Sequence, residues 1–173
     1  MNYRYDGLEF GLRGDDDSCP STESLFADSR SAGFNDVVRG RILAGNFFLL
    51  RENYSDHFLR ALRVRRLVKE DFDRAWRTDD CDVLLTPVTL DAAPAHSDFS
   101  ALDNRTQTTR QDFCTQPANL AGLPAATVPV KLARETGLPL SLQVVGQFGG
   151  EQAVLELAKW IENRVDFPML YLL

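Results

Sequence analysis

An α/β fold with a buried sheet is what this 173-residue chain predicts, and three observations predict it. Apolar residues recur at helical spacing through residues 35–76 without an internal proline. Three short apolar runs, at residues 82–86, 126–130 and 140–145, are bounded by charge, proline or glycine in the manner of buried strands. A last helical stripe follows Gly149-Gly150. Helical and strand periods in one chain are the mark of helices packed on a sheet.

Residues 1–20 are polar and rich in Gly and Asp, with the charge run Asp15-Asp16-Asp17 and a closing Cys19-Pro20. They read as a loop. Ser21 is placed to cap a short helix, because Glu23 falls in its first turn and Leu25 and Phe26 follow; Gly33 ends it. A second helix starts near Asn35 or Asp36 and carries Val37, Val38, Ile42, Leu43, Phe47 and Leu50. A third spans about Ser55 to Trp76, with Phe58, Leu62, Val68, Phe72 and Trp76 on one stripe.

Asp82–Thr86 is the first strand and residues 88–105 a surface loop. One helix is expected from about Thr108 to Leu120, with Pro117 interrupting or ending it. Thr115–Val130 is the most unusual stretch, because Pro117, Pro124 and Pro129 fix φ while Gly122 permits a tight path. Such a segment runs close to other backbone. Strands at 126–130 and 140–145 flank a turn at Glu135–Gly137, and Val154, Leu157, Ala158 and Ile161 stripe the final helix.

The length suits one ordinary domain with a real core. Hydrophobic residues at 44% and charged residues at 25% place it among globular chains rather than disordered ones. A formal net charge of −6 argues against a general nucleic-acid surface, which needs clustered positive charge. The one basic run, Arg60, Arg63, Arg65 and Arg66, reads as a solvated helix face. Cys19, Cys81 and Cys114 are far apart without C-x-x-C spacing, so neither a disulfide framework nor a zinc site is expected. No apolar run approaches the roughly 18–20 residues needed to span a bilayer, and M-N-Y-R-Y-D-G is not a targeting segment.

A Ser-His-Asp or Cys-His arrangement needs a histidine, and the two present, His57 and His96, sit in no nucleophile context. No G-x-S-x-G elbow, P-loop or G-x-G-x-x-G occurs. Asp15-Asp16-Asp17 lacks the spaced oxygens of a calcium loop. No catalytic residue, metal site or cofactor site is therefore assigned. Binding is another matter. Arg41 lies inside an apolar helix, and Asp112 precedes the proline-rich stretch. An arginine fork holds a carboxylate and an aspartate accepts from an ammonium, so the two together suit a free amino acid. The plainer reading is a surface or ion-paired Arg41 and an early helical Asp112 favoured by the dipole.

The sequence resembles the amidase signature family. The residues that carry the likeness are R-Y-D-G at Arg4–Gly7, V-V-R-G-R-I-L-A-G-N-F at Val37–Phe47 and R-V-R-R-L-V-K-E-D-F at Arg63–Phe72. D-V-L-L-T-P-V-T at Asp82–Thr89, Q-D-F-C-T-Q-P-A-N-L-A-G-L-P-A at Gln111–Ala125 and L-P-L-S-L-Q-V-V-G at Leu138–Gly146 complete it. P-x-N-x-A-G-x-P-A and L-Q-x-x-G are shared across the family; the first two segments and the Asp112 context are most similar to the A subunits of glutamyl-tRNA(Gln) amidotransferases, in their mitochondrial form.

The resemblance implies that residues 1–173 are a partial amidase domain, the C-terminal portion of a mixed sheet flanked by helices. The family's Ser, cis-Ser, Lys triad lies upstream of the matched part; the first lysine here is Lys69 and no Gly/Ser-rich signature occurs. The chain alone is therefore expected to be inactive. By motif position Arg41 matches the arginine that holds the carboxylate of glutamine, and Asp112 the aspartate that holds its amino group. The resemblance further implies a role in supplying ammonia for glutaminyl-tRNA synthesis in the mitochondrial matrix. The B and C subunits of the amidotransferase would be its partners, and the B subunit would use ATP and Mg and bind Glu-tRNA(Gln). Two alternatives stand beside this reading: an amidase-signature hydrolase of small or lipid amides, and a non-catalytic binding module. Strands drawn from a larger sheet also predict poor stability for the isolated chain.

Overall fold

Among the described residues, Ser21, Asn35 and Asp103 each open a helix with a capping side chain. In the computed structural model, which describes residues 5–9, 11–14, 20–78 and 80–168, the chain divides into two units, Met1–Leu59 and Arg60–Leu173. The charge run at 15–17, Cys19 and Arg4 lie outside the described residues.

In the first unit, α1 (Thr22–Gly33) starts at Ser21, whose Oγ accepts from Ser24 N at 3.2 Å while Ser24 Oγ accepts from Ser21 N at 3.1 Å. This is a reciprocal capping box with serine in the usual Glu/Gln place. The described part of R-Y-D-G is held against α1. Arg30 Nε donates to the Tyr5 carbonyl at 3.0 Å, and the Tyr5 ring packs on Phe34 at 4.7 Å. Gly7 has φ 71°, and a Cβ there would meet Arg13 Cα at 2.9 Å and Ser29 Oγ at 3.0 Å. Both conformation and space demand glycine.

Next comes α2 (Asp36–Leu49), opened by Asn35 Oδ1 accepting from Val38 N at 3.0 Å. None of its residues is buried; Leu43 is 69% and Phe47 51% exposed. The third helix differs from the expected Ser55–Trp76 span. A single turn, α3 (Arg51–Asn53), leads into a π-helical turn at Tyr54–Phe58, followed by α4 (Leu59–Thr78). The wide turn stacks Tyr54 on Phe58 at 5.0 Å, a contact that apolar spacing does not reveal.

The second unit is built on a sheet of order β1-β3-β2, with β1 (Val83–Pro87), β2 (Ala125–Leu132) and β3 (Pro139–Gly146). The α/β class and the helix-flanked sheet stand. Both pairings are antiparallel, so these strands contribute no parallel pair to a mixed sheet. Val144 pairs with Leu85 on one side and Ala126 on the other, and its face meets α8 (Glu151–Glu162). The core is Val128, Val144, Val154, Ala158 and Ile161. A Cβ on Gly146 would lie 2.5 Å from Val154 Cγ2, so the glycine of L-Q-V-V-G lets α8 approach the sheet. Register shifts between Pro129 and Lys131, a bulge in β2 at the proline that has no N–H for the ladder.

Two expectations between β1 and β2 need correction. The loop at 88–105 contains α5 (His96–Ala101) and the start of α6 (Asn104–Gln111). Asp103 opens α6, its Oδ1 accepting from Arg105 N at 2.9 Å and Thr106 N at 3.0 Å. The single helix expected over 108–120 is two, α6 and α7 (Gln116–Ala121), separated by a turn at 112–115. Pro117 does not end a helix; it sits in the first turn of α7, where its missing N–H would have no helical partner.

Candidate amino-acid-binding residues and their supports

Arg41 and Asp112 belong to different units, and each is described within its own. Arg41 stands on α2, exposed, and its guanidinium makes no hydrogen bond or ion pair among the described residues. Its neighbour Arg39 is paired with Asp36. Of the two readings for Arg41, the ion-paired one is therefore not met within the described residues.

Asp112 is half-buried and closes α6 at φ −87°, ψ −1°. It is not an early helical residue, as the sequence suggested, but a C-terminal one. The backbone there is fully used: its N–H donates to the Thr108 carbonyl at 2.9 Å. Its own carbonyl accepts from Thr115 N at 3.1 Å and Gln116 N at 2.9 Å. The carboxylate is free of hydrogen-bond and ion-pair partners among the described residues. An anion at a helix C-terminus faces the negative end of the dipole, a cost on the order of 0.3–1 kcal/mol. A half-buried, unpaired carboxylate in that position is poised to accept from a cationic group.

The turn that carries it is tied to the sheet by a residue that the sequence reading did not single out. Gln143, in the centre of β3, is 4% exposed. Its Nε2 donates to Thr86 Oγ1 at 3.0 Å and to the Cys114 carbonyl at 3.1 Å. The Cys114 carbonyl can only accept, so the amide nitrogen must be the atom facing it. The signal was present: a lone glutamine in the run L-S-L-Q-V-V can be buried only with its polar atoms satisfied.

Downstream, Asn119 Nδ2 donates to the Thr115 carbonyl at 3.0 Å. Gly122 ends α7 in the left-handed region at φ 70°, and Leu123 N reaches back to the Ala118 carbonyl at 3.1 Å. Gly146 N then donates to the Pro124 carbonyl at 3.0 Å. Pro124 and Pro129 thus run along β3, whereas a Cβ on Gly122 would meet nothing within 4 Å, so that glycine serves its left-handed φ rather than a close approach. A cleft of 410 Å³ is lined by Thr89, Phe99, Gln107, Arg110 and Gln111 among others; neither Asp112 nor any residue of Thr115–Val130 is part of its wall. His57 packs between rings, 5.4 Å from Phe48 and 6.4 Å from Phe47, and His96 begins α5. Among the described residues no group of His, Cys, Asp or Glu could hold a metal, and no helix is long and apolar enough to cross a membrane.

Comparison with known proteins agrees with the motifs. The chain is 55% identical over 171 residues to the A subunit of the mitochondrial glutamyl-tRNA(Gln) amidotransferase of Drosophila pseudoobscura pseudoobscura, covering 96% of this chain and 33% of that protein. It is 50% identical over 169 residues to the human protein of the same name, covering 98% and 31%. The chain thus spans about a third of the length of these relatives. Among solved structures it is similar to the A subunit of glutamyl-tRNA(Gln) amidotransferase from Thermotoga maritima, with TM-score 0.59, 31% identity and coverage of 85% of this chain and 31% of that one. A crystal structure of an amidase aligns with TM-score 0.61 at 28% identity, covering 83% and 31%. The Amidase family model matches residues 2–155. The chain belongs to the amidase family.

Proposed function

We propose that this chain is the C-terminal portion of the glutaminase subunit of a mitochondrial Glu-tRNA(Gln) amidotransferase. Its contribution is to hold glutamine for a nucleophile that the rest of the protein supplies. The observation that carries the reading is the Asp112 carboxylate, half-buried and without a partner among the described residues, on a residue whose own N–H and carbonyl are both bonded. Identity above 50% to mitochondrial A subunits over nearly the whole chain supports it.

In this reading Arg41 grips the α-carboxylate of glutamine through two parallel N–H···O bonds, and Asp112 accepts from the α-ammonium. The pair fixes the amino-acid end, so the side-chain amide is presented to the acylating serine of the complete enzyme. Hydrolysis releases ammonia, which passes to the B subunit. That partner activates Glu-tRNA(Gln) with ATP and Mg, and the C subunit helps hold the assembly. The matrix is the compartment where this product is needed. Without the triad, residues 1–173 alone hydrolyse nothing.

The test is made in the full-length enzyme. Arg41→Ala raises KM for glutamine about 10- to 150-fold, the equivalent of a lost charge-assisted bond at roughly 1.5–3 kcal/mol. An unchanged KM would sink the clamp and favour an amidase for small or lipid amides, which has no use for an amino-acid grip.

A further inference from the structure

The Asp112 turn is held in two ways, and only one of them is local. Within the turn, the Asp112 carbonyl takes the Thr115 and Gln116 N–H groups, bonds that survive if the turn moves as a body. Its connection to the sheet runs through Gln143 Nε2 and the Cys114 carbonyl, two residues beyond Asp112. The same nitrogen is anchored by Thr86 Oγ1 on the neighbouring strand, where Thr86 and Gln143 are register partners. The brace thus starts on the central strand, uses both amide hydrogens and ends on the substrate turn.

We propose that Gln143 is a positioning residue for glutamine binding, setting the place of the Asp112 carboxylate through the Cys114 carbonyl. This rests on the reading of Asp112 as the ammonium anchor. Gln143 touches no substrate. Its loss leaves the turn folded but no longer indexed to the sheet, so the defect belongs to substrate affinity rather than to chemistry. Glutamate at this position keeps the shape and can still accept from the Thr86 hydroxyl, but it sets a carboxylate oxygen against the Cys114 carbonyl, two acceptors face to face.

The experiment measures ammonia release by the full-length enzyme carrying Asp112→Asn, Gln143→Glu, Gln143→Leu, or Asp112→Asn with Gln143→Glu. Asp112→Asn is expected to raise KM for glutamine by about 10-fold or more, and each Gln143 variant by about 3- to 10-fold with kcat within about two-fold. In the Asp112→Asn background, Gln143→Glu should change KM less than about two-fold, because two residues acting through one contact are not additive. Equal cost in both backgrounds, an unchanged KM, or a fall in kcat matching the rise in KM overturns the positioning role while leaving the Asp112 reading intact. An unchanged KM in Asp112→Asn overturns that reading itself, and the inference with it. Should the Gln143 variants fail to fold, Thr86→Val removes the far anchor alone and is held to the same pattern.

Discussion

Helix α2 buries none of its residues, whereas strand β3 has four consecutive buried positions, Gln143–Gly146. Both are apolar stretches, yet their surroundings differ. The strand is paired on both edges and covered on one face by α8, so Val144 is completely buried. The helix satisfies its backbone by itself and needs a packing partner only for its side chains. Val37, Leu43, Phe47 and Phe48 on α2 remain exposed, the last two beside the His57 ring. A row of exposed apolar residues on one helix marks a surface made to be covered. The sheet unit has its own core; α2 contributes no buried residue to one.

The contrast can be broken by substitution. The largest effect is expected from Val144→Asp, which puts an unpaired carboxylate into the core and should cost more than about 4 kcal/mol. Leu43→Asp in the same isolated chain should change stability by only about 0.5 kcal/mol. Chemical denaturation followed by circular dichroism compares them, and equal losses would refute the contrast. Gly146→Ala comes next. Its methyl would press on Val154 Cγ2 where α8 meets the sheet, costing about 1–3 kcal/mol by overpacking. A neutral result would mean that α8 shifts freely on the sheet.

The smallest effect concerns α6. The Asp103 carboxyl is held below the ordinary carboxylate range by the Thr106 hydroxyl and then the Thr106 N–H, with Arg105 N–H helping. A lowered folded-state pKa means that this support is present above the ordinary carboxylate range and fades as pH falls through the lowered value. Asp103→Asn keeps a cap but should remove that pH dependence from the amide-exchange protection of α6. Unchanged acid sensitivity would show that another group controls the helix.

Much of this architecture is legible in the sequence. Ser21 and Asn35 mark helix starts because capping is local chemistry, and all three strands lie within two residues of their apolar runs. The break at Asp112 is not legible. Nothing in the spacing of T-T-R-Q-D-F-C-T-Q-P says that the chain turns there, because the tie that fixes the turn comes from Gln143, 29 residues beyond Cys114. Pro117 misleads for the opposite reason, being compatible with a helix start as well as a helix end. The Tyr54–Phe58 widening also escapes, since a π turn keeps the composition of an ordinary helix. Arg41 and Asp112 stand out in the sequence only as residue types, while the lack of a partner for the Asp112 carboxylate among the described residues needs coordinates.

The bulge at Pro129 bears on how the isolated chain would fail. Strand β2 lies at the edge of the three-stranded order, where open N–H and C=O groups can template another molecule. Pro129 offers no N–H, and the register shift beside it bends the ladder, so a second chain cannot add there as one continuous strand. Strand addition to the purified chain should therefore be disfavoured at β2, which leaves β1 as the open edge of the three-stranded order.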